Sequence, residues 1–250
     1  MTMQPQADPN KAAFLQRVRE SLGRSEPLAH MPDYPPLKTS VARHEEKVRT
    51  ILAKVEARRP RLLSLLADNA TKAGWNVHSV ETHEAAGRLV ADIAARAGAR
   101  RVVRSAEDII SKVDLDSALR RKRINWTVLA SGRNRKRSDL KEAAFDSELG
   151  VCGVTYAIAE TASCAIVPHR GLARLNSLAP PELVLLVEAE QVVENLDDFF
   201  ALMRLQYIQP RGKAPPYFNF ISGPSKTADI EMVLTTGVHG PGRIHMVLIS

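Results

Sequence analysis

Trp75-Asn76-Val77-His78-Ser79-Val80, then Thr82 ahead of an amphipathic stretch, then Arg101-Val102-Val103, is the passage whose reading decides the fold. The first apolar run reads as a strand over 75–80. Thr82 caps a helix that runs to about residue 97. Arg101-Val102-Val103 is a second strand. Ser105-Ala106-Glu107-Asp108 opens another helical segment, with acidic residues early, where the helix dipole favours them. A third strand over 124–130 is followed by Ser131-Gly132 and a basic helix to about residue 149. Strand–helix–strand units in succession imply a parallel, right-handed α/β sheet.

Working outward, 154–159 and 163–167 are apolar runs separated by Glu160-Thr161-Ala162, which suggests a hairpin or a sharp strand junction. Further strands are expected over 183–187, 217–221 and 244–249, and an amphipathic helix over 196–205. These make about seven or eight strands in one domain spanning 74–250. Residues 1–73 read as an N-terminal helical arm and linker. Phe14, Leu15, Val18 and Leu22 recur at helical spacing, and Gly23 stops that helix. The stripe should be buried on the domain or on a partner. Pro27, Pro32, Pro35 and Pro36 mark an extended linker. A helical stretch over 41–73 follows, which Pro60 is expected to break in two.

The 250 residues are 44% hydrophobic and 25% charged, a globular composition able to bury a full core. No run of about 18 apolar residues exists, so no membrane span is expected. The start of the chain has neither the basic nor the apolar region of a secretory signal, and a cytoplasmic location is expected. Cys152 and Cys164, the two cysteines, cannot by themselves hold an iron–sulfur cluster or a four-thiolate zinc ion, and read as reduced, buried thiols. The net charge of +7 is concentrated in Arg120-Arg121-Lys122-Arg123 and over 133–137. No aromatic platform is interleaved with these runs, so they read as a solvated face or a surface for an acidic partner, not a specific nucleic-acid site.

Three segments could carry chemistry. Glu160, alone between two apolar strands, could act as base, nucleophile or hydrogen-bond acceptor, or could simply cap a turn beside Thr161. Arg170 and Arg174 could grip a carboxylate or phosphate. Ile221-Ser222-Gly223-Pro224-Ser225-Lys226-Thr227-Ala228-Asp229-Ile230-Glu231, with Gly237-Val238-His239-Gly240-Pro241, is the densest polar segment. Amides of Gly223, Ser225 and Lys226 at a helix start would cradle an anion, with Lys226 adding charge. Asp229 and Glu231 could instead neutralise Lys226, and His239 is free to approach a ligand. Residues 222–227, Glu160 and His239 are therefore expected to line one pocket for a small anion. No P-loop, zinc, hydrolase or dinucleotide signature is present.

Together these segments resemble the LUD-domain family, in particular its lactate utilization protein C type. Gly153-Val154-Thr155, Ile158-Ala159-Glu160-Thr161, Arg174-Leu175, Ser177-Leu178, Pro180-Pro181 and the 221–231 and 237–241 motifs carry the likeness, which is close over 151–250 and looser over 73–150. It implies an α/β fold with the three-layer sheet of the NagB/RpiA/CoA-transferase class. It also implies a subunit, holding no cluster itself, of a bacterial system that oxidises L-lactate to pyruvate with iron–sulfur partner proteins. Glu160 and His239 are then candidate catalytic residues. Thr161, Arg174, Ser222, Gly223, Ser225, Lys226, Thr227 and Asp229 are candidate ligand contacts. The chain departs from the family pattern at Ala162-Ser163-Cys164 and Pro168-His169-Arg170-Gly171. Alternatives are a stand-alone sugar-phosphate or acyl-CoA enzyme using Glu160 as nucleophile, and a ligand-binding module without chemistry.

Overall fold

A computed structural model describes residues 9–23, 39–130, 136–167, 174–209, 217–228 and 234–250. The chain divides into two compact units, Met1–Thr39 and Ser40–Ser250. The first contains helix α1 (Pro9–Ser21); Phe14, Leu15 and Val18 on it, and Leu22 just after it, are all exposed. The proline-rich linker expected over 24–38 lies outside the described residues.

The second unit opens with α2 (Val41–Ala73), which Ser40 starts by accepting the Arg43 amide and Gly74, at φ 92°, ends. The expected break at Pro60 does not occur. Proline costs a helix interior about 3 kcal/mol because it lacks the N–H and crowds the preceding turn. Here Pro60 and Glu56 are both exposed, so the orphaned carbonyl meets water. On the opposite stripe Val55, Leu62, Leu66 and Ala70 are buried in the main core, and that packing carries the helix through. α2 thus belongs to the compact unit, whereas a boundary drawn at 73/74 would detach it from the surface it covers.

The strands in chain order are β1 (Asn76–Val80), β2 (Arg101–Arg104), β3 (Asn125–Val128), β4 (Leu149–Gly153), β5 (Tyr156–Ile158), β6 (Ser163–Ile166), β7 (Glu182–Glu188), β8 (Val192–Val193), β9 (Asn219–Ile221), β10 (Lys226–Ala228), β11 (Leu234–Thr236) and β12 (Arg243–Ile249). The intervening helices are α3 (His83–Arg96), α4 (Asp108–Lys112), α5 (Leu115–Arg121), α6 (Arg137–Phe145), α7 (Leu175–Leu178) and α8 (Leu196–Ile208). The main sheet runs β1-β12-β7-β4-β2-β3 with every pair parallel. Leu183, Leu185, Val187, Ile244, Met246 and Leu248 face α2, while Val184, Leu186, Val247 and Ile249 face α3, α4 and α5. A strand covered on both faces is apolar on both, as β7 and β12 are. The result is a three-layer α/β fold.

A second sheet, β8-β5-β6-β9, pairs β5 with β6 as the hairpin that the 154–167 pattern suggested. It packs through Ile158 and Ala165 against Phe199 of α8. β10 and β11 form a separate two-stranded hairpin. The twelve described strands exceed the seven or eight expected, because strands of two to four residues are too short to show a period. β4 lies where the sequence reads as the end of a basic helix, since Gly150 and Gly153 weaken any strand signal. Among the described residues, no helix is long and apolar enough to cross a membrane.

Candidate functional site

Glu160 and Thr161 sit exposed on the β5–β6 turn, whose backbone is held from two sides. The Glu160 amide donates to the Glu194 carbonyl at 3.0 Å. Asn69, on α2, donates through Nδ2 to the carbonyls of Ala159 at 2.9 Å and Glu160 at 3.2 Å. Ala162 closes the turn at φ 51°, in the left-handed region. Glu194 is bound by Lys54 and Arg58, and the Lys54 hydrogen bond is the main reason its carboxyl lies below the usual range.

The pairing of Cys164 with Ile221 places Ser163 beside Ser222, their hydroxyl oxygens 2.6 Å apart. The Glu160 turn and the start of the glycine–proline segment, some sixty residues apart in sequence, therefore meet. Gly223 then crosses the end of α2 at φ 149°, so close that an added Cβ would lie 3.0 Å from the Ala73 carbonyl oxygen. Pro224 packs on Gly74, and Lys226 Nζ lies 3.7 Å from the position a Gly74 Cβ would take. That places the ammonium at the carbonyl end of α2, where the helix dipole attracts a cation.

The expected anion cradle at a helix start is not what forms here, because Lys226 opens strand β10. The Ser225 amide donates to the Pro241 carbonyl at 2.8 Å, and the Ser225 carbonyl accepts the Gly237 amide at 2.9 Å. Ser225 Oγ accepts the His239 amide at 3.3 Å. Ser225 thus fastens the 237–241 loop to the end of α2. Lys226 and His239 remain exposed on it, and Thr227 pairs with Thr235 half-buried. Asp229, Glu231, His169 and Arg170 lie outside the described residues.

Arg174 is not part of this group. It precedes α7, with its guanidinium 5.6 Å from the Tyr217 ring centroid. Tyr217 lies five residues before Ser222, roughly 15 Å at strand rise, and so at the far end of the second sheet. The gathered residues also occupy an unexpected pole. Gly74 precedes β1, Pro241 precedes β12, and the Pro181 carbonyl ahead of β7 accepts the Gly242 amide. This is the amino-terminal edge of the parallel sheet, whereas open α/β sheets bind ligands at the carboxyl ends, where the strand order reverses.

At that opposite pole the order reverses between β2 and β4. Glu107 accepts from Ser105 Oγ at 2.7 Å and from the Gly153 amide at 2.8 Å. Glu188, at the end of β7, accepts from His83 at 2.9 Å and Lys112 at 2.7 Å. Burial works to raise the Glu188 carboxyl, but these two hydrogen bonds outweigh it and hold it below the usual range. Sequence reading missed this group, and it missed Asn69 and Ser163. Each is an ordinary polar residue until strand order supplies its partner.

Cys152 and Cys164 are fully buried, and burial pushes both thiols up. Neither supplies a ready thiolate for a metal or an electrophile. Among the described residues, no group of three or more His, Cys, Asp or Glu is placed to hold a metal ion. A thiol-specific reagent at mildly alkaline pH is expected to leave both cysteines unmodified in the native protein and to modify both after denaturation. Stoichiometric labelling of the native chain would contradict the burial.

A family model described as LUD domain matches residues 63–249. A protein called lactate utilization protein C from Halalkalibacterium halodurans is 25% identical over 96% of this chain and 97% of its own length. One of the same description from Anoxybacillus flavithermus is 28% identical over 95% and 98%. A lactate utilization protein B from Bacillus thuringiensis is 22% identical over 75% of this chain but only 48% of its own length. The crystal structure of a DUF162 family protein from Deinococcus radiodurans covers 77% of this chain and 98% of its own, with 16% identity and a TM-score of 0.52.

Proposed function

Because the chain belongs to the LUD domain family, we propose that it works in lactate utilization, as a cytoplasmic subunit that holds no cluster and acts with iron–sulfur partner proteins to oxidise L-lactate to pyruvate. The observation that carries this reading is the end-to-end match with C-type relatives, which covers 96% of the chain. In this reading lactate loses two electrons and two protons, and the electrons pass to the partners' clusters. The exposed surface of Glu160, Thr161, Ser222, Lys226 and His239 is where a small anion such as the lactate carboxylate would be engaged. What supports that assignment is rigidity. The β5–β6 turn and the 237–241 loop are tied through backbone atoms, so their side chains are presented without loop ordering on binding. Lys226 supplies the cation, and His239 and Glu160 could exchange protons with the substrate hydroxyl.

The test is lactate-dependent dye reduction by the chain alone and by the chain assembled with its native partners, each with Lys226→Ala and Glu160→Gln. The assembly should turn over and the isolated chain should not. Losing one charged hydrogen bond is expected to weaken lactate by roughly 1.5–3 kcal/mol, about a tenfold or larger rise in KM. Glu160→Gln should lower kcat without lowering the melting temperature. Turnover by the isolated chain, exchange of CoA esters, or wild-type kinetics in both variants would overturn the reading.

A further inference from the structure

Three neighbouring strands carry a buried row of titratable side chains that the site above does not use. Glu182 starts β7, His245 lies in β12, and His78 lies in β1. By alternation they share a face with Val184, Val247 and Val80, the face turned toward α3. His245 is 8% exposed and Glu182 7%. His245 Nε2 lies 2.7 Å from Glu182 Oε1, and His245 Nδ1 lies 3.1 Å from His78 Nε2. The two rings stack, with centroids 5.4 Å apart. The other Glu182 oxygen accepts from Arg243 Nη1 at 3.0 Å.

The hydrogen bonds dictate the tautomers. Glu182 accepts on both oxygens, so His245 Nε2 must carry a hydrogen. A neutral His245 then offers Nδ1 as acceptor, so His78 Nε2 must carry one too. His78 Nδ1 is left as a bare, half-buried base at the outer end of the row.

We infer that this row is a proton-uptake device, with His78 Nδ1 as its entry point, that ties the edge strand β1 to the sheet until a second proton arrives. The first proton binds at His78 Nδ1 and leaves every hydrogen bond in the row intact. A second proton on the imidazole pair goes to His245 Nδ1, and two N–H groups would then face each other across the gap. Among the described residues β1 has β12 as its sole neighbour in the sheet, so losing this tie loosens an edge. Gly74, two residues ahead of β1, packs on Pro224, so the loosening reaches the segment that carries Lys226. The charged groups that bear on the pair are Arg243 on β12, Glu182 on β7 and Arg96 at the end of α3. Burial lowers both histidines from their ordinary value. His245 and Arg96 lower His78 further, and Glu182 opposes the burial of His245.

The sign follows. Above the ordinary histidine value neither state binds the protons. As pH falls below about 6.5 the unfolded chain takes them up while the folded chain resists, and stability is lost until the folded values are reached. Carboxylates held low, such as those of Asp92, Glu148 and Glu188, act at lower pH and stay outside this window.

Ring ¹⁵N NMR of the full chain at neutral pH is expected to show Nε2–H and bare Nδ1 on both histidines. Thermal melts and amide exchange should show lower stability and faster exchange of the β1 amides between about pH 7 and 5. His78→Gln keeps an N–H donor toward His245 but cannot take up the first proton, and should remove the share of that loss that belongs to His78 while leaving the share of His245. An Nδ1–H tautomer on either ring, or an unchanged pH slope in His78→Gln, would end the proposal. The tautomers are read on the wild-type chain, so the test stands even if the variant does not fold, and it is independent of the lactate reading.

Discussion

A chain that begins at Gly74 is expected to remain unfolded, whereas deleting Met1 to Lys38 should leave the melting temperature of the remainder nearly unchanged. The reason is α2. Leu62 and Leu66 are 1% and 0% exposed and share one core with Leu183, Leu185, Met246 and Leu248 of the central strands. Truncating one such leucine to alanine costs about 2–5 kcal/mol. Removing the helix strips Val55, Leu62, Leu66 and Ala70 at once and uncovers one face of the sheet. That exceeds the roughly 5–15 kcal/mol by which a domain is stable. α1 lies in a separate unit and exposes its apolar stripe, so its loss should appear in partner association and not in folding. Circular dichroism and urea titration of the two truncations decide the matter. A cooperative transition from residues 74–250 alone would refute the role assigned to α2.

Gly150→Ala is expected to destabilise the protein by about 3 kcal/mol or more, or to prevent its accumulation in soluble form. A Cβ on Gly150 would stand 2.2 Å from the Asn176 carbonyl oxygen and 3.1 Å from Pro180 Cγ. The obstacle is backbone, so no rotamer change relieves it. Asn176 cannot retreat cheaply, since it is fully buried and donates through Nδ2 to the Val151 carbonyl at 2.7 Å. Gly240→Ala is the control: its nearest neighbour would be Ser225 Cβ at an ordinary 3.7 Å, and its cost should be small. Equal melting temperatures for the two variants would show that α7 does not press on β4.

Much of the fold was legible locally. Thr82 caps α3 by accepting the Ala85 amide, as its position ahead of an amphipathic run implied. The apolar runs at 101–103 and 183–187 are strands, as expected, and their side chains fit a sheet covered on both faces. Three features resisted. Pro60 reads as a stop because local propensity has no knowledge of the sheet that α2 covers. β4 goes unread beyond the helix expected to end near residue 149, because glycine signals nothing until α7 is seen lying on it. The 221–241 motif reads as an anion cradle because a glycine–proline–serine–lysine run suits a helix start, and only long-range bonds from Ser225 to Gly237, His239 and Pro241 divert it into a hairpin.

The sequence by itself determined the class of the fold, the family likeness and the identity of the polar segments. These depend on capping, periodicity and motif, which are local physical properties. Tertiary structure alone decided which of those segments meet. The antiparallel register of β6 and β9 brings Ser163 to Ser222 and leaves Arg174 at the other end. The strand order puts Glu182, His245 and His78 on three adjacent strands, although His78 and Glu182 are 104 positions apart in the chain. Register and strand order are set by the joint burial of distant apolar faces, and no short stretch of chain contains that information.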